Sequence, residues 1–490
     1  MGESPALTSW GEAVVSDLLV ARPYIDGRFQ DAGTSRPVTS PFDGRKVGEV
    51  QEADTSHVQV AVEAARRAQR EWAALPVLDR VDLLYRGLEL CRQRNDMFAE
   101  MITKEVGKTI RESREEMVEY ACDHFRRAAE DVLRYRGQVL PTTQERTSSK
   151  RILVTHRPAG VVGLVTPWNF PVDIAAITIT YALAVGDTVV WKPSPYAPLS
   201  CAMFAELLDD AGFPAGVLNM LTGDAGVGQA LVSHPDVDVV SFTGSTGVGA
   251  TIARTAALKT LMLELGGNGP LVVLDDADLD RAVAATITGC YYLAGQCCTA
   301  AERILVHRSV ADDFIERLVA ATRALKVGDP LDEDTDMGPV CNAAVLDKCV
   351  AHIRQAEERG AKVVLGGNAE GLMHEPTVLT GVTPDMEIAR EETFGPVAPV
   401  LTFGDDDEAV AVGNGTRYGL TAAVFTRDLA RGWRFAERLD HGTVLVNETT
   451  NYWDQLAPFG GSKQSGSGRE LATWMLDALT EIKQIVLELT

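Results

Sequence analysis

Cysteine is scarce in this chain and unpatterned. The eight cysteines among 490 residues stand at 91, 122, 201, 290, 297, 298, 341 and 349, with no Cys-x-x-Cys pair and no His-rich companion. That spacing indicates neither a zinc site nor a disulfide framework, so a reduced, cytoplasmic protein without bound metal is expected. Positive charge is also short: 46 Lys and Arg face 69 Asp and Glu, a net charge of −23. A surface of that sign argues against nucleic acid or an anionic membrane as partner. No basic segment followed by an apolar run marks a secretory signal, and Ala6 stands where myristoylation of Gly2 would need Ser or Thr. The uncharged run 282–301 is long enough to raise a membrane helix, but Gly289, Gly295, Gln296 and several Thr make it a poor one. Internal repeats and low-complexity tracts are absent. A hydrophobic content of 46% with 23% charged residues is that of a soluble globular protein, and the length predicts two or three domains.

The patterned stretches fall into blocks. Residues 1–22 carry little pattern and read as an arm. Over 56–134 apolar residues recur at helical spacing, as in Leu83, Leu84, Leu88 and Leu90, and predict long amphipathic helices. The polar stretch 142–150 breaks that pattern, and 151–156 alternates as a strand. From Val161 to Val165 the chain reads as a buried strand, followed by strands at 188–191, 217–221 and 237–242 with helices at 198–211 and 226–233 between them. This βαβ rhythm implies an α/β fold with a parallel sheet covered on both faces. A second alternating block follows Glu264, with strands at 271–274 and 303–306 and helices at 309–325 and 342–359. The tail 481–489 reads as one more strand, which must pair with something.

Chemistry concentrates in two places. Gly295-Gln296-Cys297-Cys298-Thr299 holds a cysteine in a glycine-led loop, and Leu263-Glu264-Leu265-Gly266-Gly267-Asn268 sets a carboxylate 34 residues before Cys298. A thiolate can attack a carbonyl, and a carboxylate can then activate water to release the acyl group. Singly, each has a blander reading: a free cysteine is usually a small buried hydrophobe, and a Glu beside glycines is usually a loop residue. Together and in this wording they resemble the aldehyde dehydrogenase superfamily, and the resemblance extends over nearly the whole chain.

The resemblance implies a Rossmann-like parallel-sheet cofactor domain over 1–139 and 159–263. It adds a second α/β catalytic domain over 264–470 and a small β oligomerisation flap over 140–158 and 471–490, through which a homodimer or homotetramer would form. Val239–Phe242 runs into Thr243-Gly244-Ser245-Thr246-Gly247-Val248-Gly249, where small residues let backbone N–H groups approach a pyrophosphate. A Gly-x-Gly-x-x-Gly fingerprint is missing from the strand–helix junctions, and glycine-rich turns are common. Likeness to the family's Phe-Thr-Gly-Ser motif is what singles out Thr243, Gly244 and Ser245. By the same resemblance Lys192 and Ser194 of Lys192-Pro193-Ser194 would bind the adenosine ribose. Glu392 would grip the nicotinamide ribose and Phe394 would back the ring, and Trp168 and Leu265 would also bind the cofactor. Many NAD-preferring relatives carry Glu directly after Lys-Pro-Ser; here that position is Pro195, which can neither hold a ribose diol nor repel a 2′-phosphate. NAD is the expected cofactor, with NADP also open.

Thr166-Pro167-Trp168-Asn169-Phe170-Pro171 resembles the family's Pro-Trp-Asn-Phe-Pro, whose Asn amide donates to the oxyanion formed on attack. Capping of the next helix is the plainer reading of Asn169, and the two are compatible. The implied cycle is oxidation of an aldehyde to a carboxylic acid: Cys298 adds, hydride leaves, and Glu264 activates water against the thioester. Relatives that resolve the thioester with coenzyme A lack the glutamate, so hydrolysis is expected; a coenzyme A-acylating enzyme and a catalytically silent protein on the same fold are the alternatives. Register selects Cys298 over Cys297, which is expected to line the substrate pocket with Phe170, Ile174, Ile177, Trp453 and Phe459. Thr178 occupies the place of a family lysine, which puts a proton relay from Glu264 to Glu470 in doubt. Neither the stretch 447–457 nor 291–300 contains Arg or Lys, so nothing there would hold a substrate carboxylate. Uncharged aliphatic or aromatic aldehydes are therefore expected, with an aminoaldehyde as the alternative if Glu448, Asp454 or Asp173 faces the tunnel.

Overall fold

A computed structural model describes residues 19–489, so the arm expected over 1–22 lies largely outside the described residues. The expected strand Val161–Val165 forms with four of its five residues fully shielded, as a strand covered on both faces should be. It is the middle of five parallel strands in the spatial order Thr260–Glu264, Val239–Thr243, Val161–Val165, Thr188–Lys192, Leu218–Met220. The strand that comes first in sequence is central; the chain winds outward on one side, then returns to build the other. The switch falls between Val161–Val165 and Val239–Thr243, paired from Val239↔Val162 to Phe242↔Val165. Connections leave these two strands in opposite directions and open a crevice beyond their carboxyl ends, where ligands bind in doubly wound sheets. Thr166–Asn169 and Thr243–Ser245 are the two loops at that crevice.

The helices expected over 56–134 appear as Thr55–Ala74, Val77–Val106, Ile110–Glu115, a wider π-turn at Glu116–Ala121, and Cys122–Val132. They bury Phe98, Ile102, Met117 and Phe125 against Tyr181, Trp191 and Phe204 in the largest core. The second block forms a seven-stranded sheet whose centre pairs Gly269–Val273 with Ala301–His307 and Thr421–Phe425, all parallel.

The third sheet pairs Thr480–Glu488 antiparallel with Lys150–Pro158 over nine positions and adds Gln138–Leu140 at its edge. The segment after 470 is divided, however. Helix Ala472–Ala478 and its flanks bury Leu471, Met475, Leu476 and Leu479 in the core of the first sheet, and only the residues from Thr480 onward join the third sheet. Gly466–Ser467 likewise pairs with Leu263 and Glu264 at the edge of the first sheet. No helix among the described residues is long and apolar enough to cross a membrane; the uncharged run divides into helix Leu279–Tyr291 and the turn after it.

Candidate active site

After helix Leu279–Tyr291 the backbone enters the left-handed region at Leu293 (φ 54°), Ala294 (φ 51°) and Gly295 (φ 71°). Glycine is required at the third position, because a Cβ there would stand 2.2 Å from the carbonyl oxygen of Gly395. This turn delivers Cys297 and Cys298 just before Ala301–His307, the central strand of the second sheet. The two thiols lie within hydrogen-bonding reach of each other but in different settings. Cys297 is buried, its Sγ 3.2 Å from Thr299 Oγ1, and packs with Phe170, Leu293 and Ala300. Cys298 is half-buried and lines a cavity; Cys297 stands behind the wall rather than in it.

That cavity gathers half of the expected residues. Cys298, Glu264, Thr243 and Leu265 share it with Phe170, Ile174, Ile177, Trp453 and Phe459. Glu264 is the last residue of its strand and 4% exposed. Its Oε2 is buried without a hydrogen-bond partner, and Gly460 (φ 153°) makes room for Oε1, which a Cβ would approach to 2.6 Å. Burial, reinforced by the negative charge of Glu470, holds the Glu264 carboxyl well above the usual range. Glu470 faces the same cavity and is itself pushed up to about 8 by burial, with Asp173 adding to it. The neighbouring thiol of Cys297, then burial, then the charges of Glu264 and Glu392 hold the Cys298 thiol high, so it rests protonated. Thr178 Oγ1 lies 3.2 Å from Ser241 Oγ, and no lysine lines the cavity.

Asn169 is 3% exposed. Its Nδ2 donates to the carbonyl of Gln296 at 3.0 Å, its own carbonyl accepts from Lys108 Nζ at 3.0 Å, and its Oδ1 has no partner. Trp168 meets Phe394 edge to face with ring centroids 5.7 Å apart.

The crevice at the switch point presents donors without internal partners. Helix Thr246–Thr255 has Ser245 as its N-cap with no side-chain cap, whereas helix Ala225–Ser233 is capped by Asp224. Thr243 Oγ1 is buried and unpartnered. Gly244 N–H donates to the Glu264 carbonyl at 3.0 Å, which ties the loop to the neighbouring strand. Lys192 ends its strand; burial pushes its ammonium down to about 8. Ser194 Oγ accepts from the Tyr196 N–H at 3.3 Å. Such a set, open N–H groups at a helix N-terminus beside a buried lysine, fits an anionic dinucleotide. The Pro195 carbonyl accepts from Arg36 Nη2 at 2.5 Å, and Arg36 is paired with Glu52. Glu392 Oε1 accepts from the Gly267 N–H at 2.9 Å. Phe394 (φ 61°) is held by the N–H groups of Thr393 and Phe394, which donate to Glu302 at 2.7 Å each.

Sequence reading missed several cavity residues, among them Tyr120, His124 and Gln455. Asp173 lines the cavity, with Oδ1 2.7 Å from His124 Nε2. Asp454 stands at the outer mouth beside Glu115, Glu119 and Asp123, while the two arginines there, Arg114 and Arg127, pair with Glu333 and Asp123. Tyr452 is exposed and outside the cavity, unlike Trp453. The four-residue spacing of Lys108, Glu112 and Glu116 was a visible signal for buried polar contacts, but it is indistinguishable from the solvated face of an amphipathic helix without knowing which side is covered.

A sequence model of the aldehyde dehydrogenase family matches residues 29–485. The chain is similar to a betaine aldehyde dehydrogenase of Rhizobium leguminosarum bv. trifolii, 39% identical over 476 residues that cover 95% of this chain and 96% of the relative. Betaine aldehyde dehydrogenase 1 of Rhizobium meliloti is 40% identical over 478 residues, with 95% and 96% covered. Among solved structures, an NADP-dependent enzyme of E. coli matches with a TM-score of 0.93 at 39% identity, over 96% of this chain and 98% of that one. A betaine aldehyde dehydrogenase of Staphylococcus aureus in complex with NAD+ matches with a TM-score of 0.93 at 34% identity, over 96% and 95%.

Proposed function

The chain belongs to the aldehyde dehydrogenase family and oxidises aldehydes with a nicotinamide dinucleotide; we propose that it does so through a thioester on Cys298, hydrolysed by water that Glu264 activates. The observation that carries this reading is that Cys298 and Glu264 line the same, largely apolar cavity. Cys298 Sγ adds to the aldehyde carbon as the carbonyl π pair moves to oxygen, and the thiol proton passes to ionised Glu264 in the same cavity, which releases it to solvent before deacylation. The Asn169 amide, which has a second N–H beyond the one bonded to Gln296, and the backbone N–H of Cys298 steady the oxyanion. When bound, the oxidised nicotinamide supplies the hydride acceptor and a positive charge that favours the thiolate. Glu264 then takes a proton from water as the hydroxide attacks the thioester, and its raised proton affinity makes it a stronger base than an ordinary carboxylate. An intact Glu264 disfavours the coenzyme A-acylating alternative, and the complete set of Cys298, Glu264 and Asn169 disfavours a silent scaffold.

In the crevice, Lys192 and Ser194 would hold the adenosine ribose, Thr243–Ser245 the pyrophosphate, Glu392 the nicotinamide ribose, and Trp168, Leu265 and Phe394 the ring. NAD is the proposed cofactor, as in the S. aureus relative. NADP is compatible with a Pro195 that carries no charge and an Arg36 that does.

The proposed substrate is an uncharged aliphatic or aromatic aldehyde, supported by Phe170, Ile174, Ile177, Trp453 and Phe459 and by the absence of Arg and Lys from the cavity wall, where His124 is taken up by Asp173. A second reading, an aldehyde with a cationic tail, is favoured by Asp173 in the wall, by aromatic faces that attract ammonium groups, and by the substrates named for the rhizobial relatives. The proposed assembly is a homodimer or homotetramer through the flap, whose strand Thr480–Glu488 exposes Ile482, Val486 and Leu487. Reduced-cofactor absorbance on mixing with an aldehyde panel, with and without coenzyme A and with the acid product identified, tests the reading. Turnover that requires coenzyme A, or none with any aldehyde, would overturn it.

A further inference from the structure

One buried ion pair outside the cavity grips the loop that carries Asn169. The side chains of Lys108 and Glu116 are both 0% exposed and paired with each other. Lys108 Nζ also donates to the carbonyl of Asn169 at 3.0 Å and lies 4.3 Å from the centroid of the Phe170 ring. Glu116 Oε1 accepts from the N–H groups of Val172 and Asp173, each at 3.0 Å. Residues 169–173 are thus held at three backbone points by two side chains of opposite charge. Four residues before Glu116, Glu112 reaches the other wall. Its Oε1 accepts from the N–H of Leu293 at 2.7 Å, at the left-handed turn that delivers Cys298. The two anchored loops then meet where Asn169 Nδ2 donates to Gln296.

A buried ion pair is weak evidence for stability, since taking two charges out of water costs about what their attraction returns and apolar replacements are often neutral. What this pair does is geometric: its remaining valences are spent on the backbone of one loop, at the start of helix Asp173–Val185. Glu116 also opens the π-turn Glu116–Ala121, a local departure from α geometry that recurs at functional sites.

We propose that Lys108 and Glu116 are positioning residues that set the distance and orientation of the Asn169 amide relative to Cys298, with Glu112 fixing the opposite loop. The proposal rests on the reading of Asn169 as the oxyanion donor. An amide displaced by an ångström no longer meets the developing charge, although the thiol itself is untouched.

Two reagents separate these effects. 4-Nitrophenyl acetate acylates the thiol: an S–C bond forms, the ester C–O bond breaks, the proton leaves with 4-nitrophenolate, and an oxyanion forms on the way. Iodoacetamide alkylates it by displacement of iodide with loss of the thiol proton, and no oxyanion forms. The variant Lys108→Met/Glu116→Gln removes both charges at similar volume. It is expected to slow acylation by about tenfold or more while alkylation changes less than about threefold, with NAD+ binding unchanged. In an Asn169→Ala background the same pair of substitutions should slow acylation no further. Equal losses in acylation and alkylation, or effects that add to those of Asn169→Ala, would overturn the proposal. Unimpaired acylation in Asn169→Ala alone would instead overturn the oxyanion reading beneath it. Should the paired variant not fold, Glu116→Gln keeps the acceptor for Val172 and Asp173 and weakens only the hold on Lys108. A smaller, acylation-selective loss supports the proposal there, and no loss contradicts it.

Discussion

Asn169 Nδ2 donates to the carbonyl oxygen of Gln296 across 3.0 Å, which joins the loop after the first sheet's central strand to the loop that presents Cys298. The bond spans the two α/β blocks at the crevice and leaves the amide's second hydrogen for an oxyanion. Asn169→Ala is expected to lower kcat/KM by about 10²–10³, the usual effect of removing one prepositioned donor. Steady-state kinetics with hexanal check it, and a loss below fivefold would assign Asn169 to loop structure alone.

Burial raises the proton affinity of Glu264, and the charge of Glu470 adds to it. Glu264 acts as a base only when ionised, so deacylation should rise as pH climbs through its raised value. The negative charge of Glu470 is one of the causes of that rise. Glu470→Gln removes the like charge, so the acid limb of the kcat profile should move to lower pH. A limb that stays in place or moves up would show that burial alone governs Glu264.

Cofactor choice should be loose. Pro195 leaves no carboxylate to repel a 2′-phosphate, and Arg36, bonded to the Pro195 carbonyl, brings a cation to that corner. NAD is expected to be preferred over NADP only weakly. Arg36→Ala should raise KM for NADP about tenfold and leave NAD within about twofold, since a charge-assisted hydrogen bond is roughly twice as strong as a neutral one. A several-thousandfold NAD preference in the unaltered enzyme would show that another group, Glu52 foremost, supplies the repulsion.

Substrate charge follows from the wall. Hexanal and benzaldehyde should exceed succinic semialdehyde in kcat/KM, because no Arg or Lys lines the cavity, His124 is paired with Asp173, and the arginines at its mouth are already paired. If a cationic tail is also accommodated, Asp173→Asn should raise KM for an aminoaldehyde and leave that for hexanal unchanged. A preference for the semialdehyde would contradict this account of the tunnel.

The sequence made the sheet strands and the nucleophile loop readable because both are local. Val161–Val165 is apolar throughout, and Gly295-Gln296-Cys297-Cys298 is a contiguous signature. Contacts that join distant segments were not readable. Glu470 comes beside Glu264 only because Gly466–Ser467 pairs with Leu263 and Glu264, and Lys108 reaches Asn169 only when the long helices close over the sheet. The destination of 471–479 was hidden for the same reason. Its apolar residues suit either a flap or a core, and packing against the first sheet decides between them. Cys297 illustrates the limit at one residue: adjacency placed it at the site, whereas its side chain turns into the Phe170 cluster behind the wall.

The central claim is a thioester on Cys298 that Glu264 resolves. The most direct test mixes Glu264→Gln with NAD+ and hexanal, follows reduced-cofactor absorbance on the millisecond scale, then quenches in acid and maps the acylated peptide by mass. The account expects a burst approaching one reduced cofactor per subunit, turnover slowed by about 10²-fold or more for want of a general base, and the acyl group on Cys298. No burst, no adduct, or an adduct on Cys297 would contradict it.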